Sequence, residues 1–88
     1  MTCHISVFID GDRIVVSVED WEVFDFVDDF LTERHGIEYE YMRETPTGAS
    51  RRFEMHFPST VSHEKIVSAL AELKDEEVER IWRANHPL

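Results

Sequence analysis

Between residues 22 and 33, Glu22, Asp25, Asp29 and Glu33 follow one another at the three- and four-residue spacing of a single helical face, and Asp28 stands beside them. No lysine or arginine interrupts the row. Like charges at this spacing cost a helix a few tenths of a kcal/mol per pair, so the row works against its own helix. Two kinds of chemistry suit it. One is a solvated face that keeps the chain in solution. The other is a docking surface for a basic protein partner, where charge complementarity speeds association and selects the partner.

A second group is Glu38, Glu40, Glu54 and His56. If the two segments that carry them pair as a hairpin, Glu38 falls opposite His56 and Glu40 opposite Glu54. Three carboxylates and an imidazole on adjacent strands are a donor set for a divalent cation. Two glutamates directly opposed also destabilise a sheet unless something lies between them. An exposed sheet face with splayed side chains accounts for the same pattern, and no supporting shell is visible. The expectation is therefore no metal and no cofactor, with these four residues as the candidates should one bind.

The remaining signals point away from catalysis. His63-Glu64 would begin a zinc-protease helix, but the second histidine would fall at Val67. Asp10-Gly11-Asp12 is too short for a calcium loop, and glycines at positions 11, 36 and 48 alone exclude a glycine-rich phosphate loop. Cys3 lies on an apolar face with no base near it and reads as a small buried hydrophobe. Arg43, Arg51 and Arg52 gather at one hairpin tip, as an anion contact or as the polar guard of an edge strand. Trp82, between Arg80 and Arg83, is an interface anchor or the cap of a thin core. No nucleophile, base and oxyanion donor converge, so a non-enzymatic protein is expected.

Elements to position these residues are legible in the periodicity. Cys3 to Ile9 and Arg13 to Val18 alternate apolar and polar around Asp10-Gly11, a dipeptide of two-residue turns. That turn would pair Ile9 with Asp12, Val7 with Ile14 and Ile5 with Val16. From Asp20 to His35 the period becomes helical, with acids at the start and Gly36 just past the end. A second hairpin follows, in which a Pro46-Thr47-Gly48 loop pairs Tyr41 with Phe53, Tyr39 with Met55 and Ile37 with Phe57. Ser62 caps the next helix, carrying Ile66, Val67, Leu70 and Leu73. Beyond Lys74 two continuations are open, a new helix starting near Asp75 or a short strand over residues 78–84. The expected fold class is α+β. One antiparallel sheet of four strands, or five with that last strand, has two helices on one face, in the order ββαββα(β).

Over the last 70 residues this element order resembles that of ferredoxin-like regulatory domains, with Val78 and Ile81 in the place of a last strand. The first hairpin departs from it. The resemblance implies a ligand- or metal-responsive domain using the second hairpin or a dimer interface.

Composition narrows the partners. The 88 residues suffice for one domain, and 42% hydrophobic with 11% aromatic content marks a folded one. Nineteen acids and nine bases leave a formal charge of −10, which opposes direct contact with nucleic acid or an anionic membrane. Residues 10–33 hold nine of the acids and a single base, Arg13. Residues 1–9 hold none of either. A lone cysteine excludes an internal disulfide, and neither a signal peptide nor a membrane span is evident, so the cytoplasm is expected. The favoured function is a small acidic binding module that docks a basic partner through its first helix. Acidic rows of this kind occur on inhibitors that imitate a phosphate backbone and on immunity proteins that plug nuclease sites. The pattern leaves a homodimer open.

Overall fold

The computed structural model describes residues 4–47 and 50–85. In chain order it contains β1 (Ile5–Asp10), β2 (Arg13–Val18), α1 (Trp21–His35), β3 (Tyr41–Thr47), β4 (Ser50–His56), α2 (His63–Leu70) and α3 (Asp75–Asn85). The strands form one antiparallel sheet in the order β1-β2-β4-β3. The α+β class is as expected, with three helices where two were. Residues 75–85 are helical, and no fifth strand occurs among the described residues. The ferredoxin-like order therefore lacks its last strand. The break after Leu70 has a physical reason. One continuous helix would carry Glu77 into its apolar stripe. Restarting at Asp75 instead places Asp75, Glu76 and Glu77 in a first turn, where the helix dipole favours acids, and turns Val78 into the core.

Both hairpins form with registers other than those read from the turn residues. In the first, Asp10 pairs with Arg13, Ile9 with Ile14, Val7 with Val16 and Ile5 with Val18. The two-residue loop is thus Gly11-Asp12. Gly11 has φ +66° and Asp12 does not have positive φ, the signs of a type II′ turn with glycine first. The shift moves each strand-to-strand pair by two residues and leaves every side chain on its expected face. In the second hairpin Tyr41 pairs with His56, Met42 with Met55 and Arg43 with Glu54. That slip is by an odd number, so it reverses the face of β3. Ile37 and Tyr39 still point to the core, but the chain bends at Glu40 and Tyr41 emerges on the opposite side. The expected loop at Pro46-Thr47-Gly48 is shortened accordingly, Thr47 and Ser50 being paired. Cys3 lies outside the described residues.

A Cβ at Gly11 would meet nothing within 4 Å, so the cost of a side chain there begins with backbone strain and not with a clash. Gly11→Val is expected to cost about 1–2 kcal/mol, since L-residues resist the left-handed region. A urea midpoint equal to that of the wild type would show that the turn does not need this conformation.

Helix ends are set by side chains that the sequence advertises. Asp20 accepts a hydrogen bond from the Val23 amide at 3.1 Å and starts α1. Gly36, at φ +63°, ends it, with its amide on the Thr32 carbonyl and the Ile37 amide on the Leu31 carbonyl, so that carbonyls of the last turns are satisfied past a left-handed glycine. Ser62 accepts from the Lys65 amide at 3.1 Å, and Val61 packs against the same core as Ile66. The core lies between the helices and one sheet face. There Val16, Val18, Met55 and Phe57 meet Phe24, Val27 and Leu31 of α1, Ile66 and Leu70 of α2, and Val78 of α3. Phe24 is the hub of an aromatic cluster, stacked on Trp21 at 5.0 Å and edge-on to Tyr39 and Phe53.

Candidate functional site: an acidic helix face

With α1 anchored by Val23, Phe24, Val27 and Leu31, its other side must face water. Glu22, Asp25, Asp29 and Glu33 are all exposed there, and Asp28 is half-buried beside them. None of the four exposed acids lies within ion-pair distance of a cation among the described residues. Trp21 shares this face. At 100° per residue, Trp21 and the five acids fall within an arc of about 140°. Its ring is stacked on Phe24 yet remains 48% exposed. Trp21 thus covers the edge of the core, stacked on Phe24 and edge-on to Phe53 at 5.6 Å, and offers the rest of its ring to solvent.

Tertiary structure enlarges the acidic face beyond the helix. Glu38, expected on the second hairpin opposite His56, instead lines a shallow depression with Asp28, Thr32 and Tyr39. Burial pushes the Asp28 carboxyl above its ordinary pKa. The Thr32 hydroxyl, donating at 3.3 Å, opposes that shift, and the charges of Asp29, Asp25 and Glu38 reinforce it. On the other flank, a groove of about 420 Å³ runs between α1 and the α2–α3 turn. Asp29 and Glu33 face Glu72 and Glu77 across it, with Phe26 and Phe30 in its lining and Arg34 and Lys74 also bordering it. Glu72 lies 3.3 Å from His35 Nε2. Glu72 and Glu77 carry no sign of this role in the sequence, because the packing of the α2–α3 turn and of α3 decides which of their acids approach α1.

The four metal candidates do not converge. Glu40 lies 3.0 Å from Arg13, Glu54 is bonded to His56 Nε2 at 3.1 Å, and Glu38 has joined the α1 face. The opposed glutamates of the expected register are replaced by Glu54 beside Arg43 and His56 beside Tyr41. His56 is 3% exposed, stacked on Tyr41 at 4.5 Å, with its Nδ1 buried and unpartnered. Among the described residues, no three His, Cys, Asp or Glu side chains are placed to hold a metal ion. The arginine cluster is also divided. Arg43 is exposed, whereas Arg52 turns inward, its Nε donating to Ser17 Oγ at 2.8 Å and its Nη1 lying 3.7 Å from Glu19. The side chain of Arg51 is outside the described set.

One constellation was not anticipated. His4 is bonded through Nδ1 to Glu19 at 2.8 Å and through Nε2 to Glu79 at 2.7 Å, and its ring stacks on Trp82 at 4.5 Å. The clamp ties the start of β1 to α3, some 75 residues along the chain. Arg52 lies near Glu19 and Arg83 bonds Glu79, so a cation backs each carboxylate. Burial alone would lower the His4 pKa, but the two carboxylate bonds and their charges outweigh it and raise it above 6.5. A histidine pKa raised by folding contributes stability that is complete below the unfolded value and lost as pH rises through the folded one. The thermal midpoint of the wild type is therefore expected to fall above about pH 6.5 relative to His4→Phe, which keeps the stack on Trp82 but cannot titrate. Parallel curves for the two proteins from pH 6 to pH 8.5 would rule the clamp out as a stabilising ion pair.

No helix among the described residues is long and apolar enough to cross a membrane. No protein-family model, curated protein or solved structure matches this chain.

Proposed function

We propose that the protein is a small, non-enzymatic binding module that docks a basic surface of a partner protein on the outer face of α1. What supports this most is a single arrangement: Glu22, Asp25, Asp29 and Glu33 stand exposed, without an ion-pair partner among the described residues, in one arc with a half-exposed Trp21. Trp21 covers the core edge through Phe24 and Phe53, but the half of it left exposed is apolar surface that a face needed only for solubility does not use. A docking face gains an anchor of the residue type enriched at binding hot spots, ringed by charge that steers a basic partner. Glu38, Glu72 and Glu77 extend the same potential to both flanks of the helix. The raised pKa of Asp28 fits the proposal, since an approaching cation would relieve the crowding of carboxylates that contributes to it. An inhibitor or immunity-type role, covering a basic functional surface of the partner, is the form of this activity we favour. Neither nucleic acid nor an anionic membrane suits so acidic a surface, and we propose a cytoplasmic partner.

The test is capture of proteins from native lysate on wild type and on Asp25→Lys/Asp29→Lys, beside a control of equal charge change, Asp12→Lys/Glu76→Lys. The proposal expects a basic protein held by wild type and control, absent from the α1 variant, and released near 0.5 M salt. Equal retention on all three would contradict it.

A further inference from the structure

The sheet has two open edges, and they are built differently. β3 carries Arg43, Glu44 and Pro46, the charges and proline with which edge strands are guarded against pairing. β1 carries a charge only at its end, Asp10. From His4 to Ile9 there is no acid, lysine or arginine, in a chain of net charge −10. Two apolar side chains of this strand are exposed on opposite faces of the sheet, Phe8 at 43% and Ile9 at 60%. A partner that covered one face would leave the other bare, whereas an added strand covers both.

The backbone fixes which residues an added strand can bond. Asp10 and Arg13 flank the two-residue turn and form its hydrogen-bonded pair, and such pairs alternate along an antiparallel ladder. Phe8 and Ser6 therefore bond β2, while the amide and carbonyl groups of Val7 and Ile9 point to the open edge. From this geometry we infer that the β1 edge pairs with β1 of a second copy, antiparallel about a two-fold axis at Phe8. In that register Val7 bonds Ile9 of the second copy, and Ile9 bonds Val7 of the second copy. Phe8 meets Phe8 of the second copy in the closer, non-bonded pair, and Ser6 meets Asp10 of the second copy. From Ser6 to Asp10 every apolar residue then opposes an apolar one and every polar residue a polar one, while Ile5 falls opposite Gly11 of the second copy. Moving the axis by one residue, to Val7, would set Ser6 against Phe8 and break that match. The second copy is the occupant the charge pattern favours. Two chains this acidic repel almost everywhere, and the uncharged stretch from Ile5 to Ile9 is where they approach with fewest opposed carboxylates. The result is a continuous eight-stranded sheet that leaves the outer face of α1 free.

Sedimentation equilibrium from about 10 μM to about 1 mM tests this, because assembly through an edge follows mass action. The average mass is expected to rise from 10.4 kDa toward twice that value. It should rise further with salt, the reverse of the salt response expected of a basic partner on α1. Phe8→Lys, which opposes two ammonium groups at the axis, should weaken the dimer tenfold or more. Val7→Pro should do the same by removing two of the four new hydrogen bonds, since the Val7 amide takes no part in the β1–β2 ladder and proline is tolerated at such edge positions. Circular dichroism at 10 μM identifies a variant that has lost its fold, and the other variant then decides. Asp25→Lys/Asp29→Lys should still dimerise. A mass of 10.4 kDa throughout, or a dimer indifferent to both substitutions, would overturn the inference.

Discussion

Phe24→Ala is expected to destabilise the domain by about 3–5 kcal/mol, a large share of the total stability of a chain this size, which is of the order of 5–10 kcal/mol. Phe24 is buried on the inner side of α1, stacked under Trp21 and meeting Tyr39 and Phe53 edge-on. Removing its ring opens a cavity among aromatic neighbours that are themselves held by strand and helix backbone, so the space cannot close cheaply. The ring also supports Trp21 from beneath, and the anchor of the acidic face loses its seat with it. Urea unfolding would show a lower midpoint at an unchanged slope if the native and unfolded states keep their extents of exposure. A loss below about 1.5 kcal/mol would mean that the cluster repacks and does not organise the α1 face.

The first six elements, the helix caps and the acidic row were readable from the chain because each depends on local spacing, whereas the segment after Lys74 left a helix and a strand open. Asp20, Gly36 and Ser62 act within a few residues of themselves, and Glu22, Asp25, Asp29 and Glu33 must share a face if the segment is helical. Strand register is a different matter. In the first hairpin a displacement by two residues keeps Ile5, Val7 and Ile9 on the same side, so the apolar pattern accepts either pairing. The choice falls to Ile9 meeting Ile14 instead of Asp12. In the second, the alternation of Ile37, Tyr39 and Tyr41 looks continuous, yet the bend at Glu40 turns Tyr41 outward beside His56. That single reversal disperses the expected cluster of Glu38, Glu40, Glu54 and His56. Contacts across long separations were invisible for the same reason. Nothing near His4 in the chain announces Glu79, and nothing in α2 or α3 announces that Glu72 and Glu77 will face Asp29 and Glu33.

Reversal of charge on α1 carries the largest expected functional effect. Asp25→Lys/Asp29→Lys replaces two exposed carboxylates by ammonium groups at the centre of the proposed docking face, flanked by Glu22, Asp28 and Glu33. The fold should be kept or slightly strengthened, because positions 22 and 25, 25 and 28, and 29 and 33 become attractive pairs while only 25 and 29 remain a repulsive one. The most direct measurement is the association rate constant with the captured basic partner, for wild type and this variant, from low ionic strength to about 0.5 M. There screening acts over only a few ångströms. The account predicts a rate lowered by about tenfold or more in the variant at low salt, converging with the wild type as salt rises, while unfolding midpoints stay level. Equal rates at low ionic strength, with both proteins folded, would contradict it and reduce the acidic face of α1 to a solvated surface.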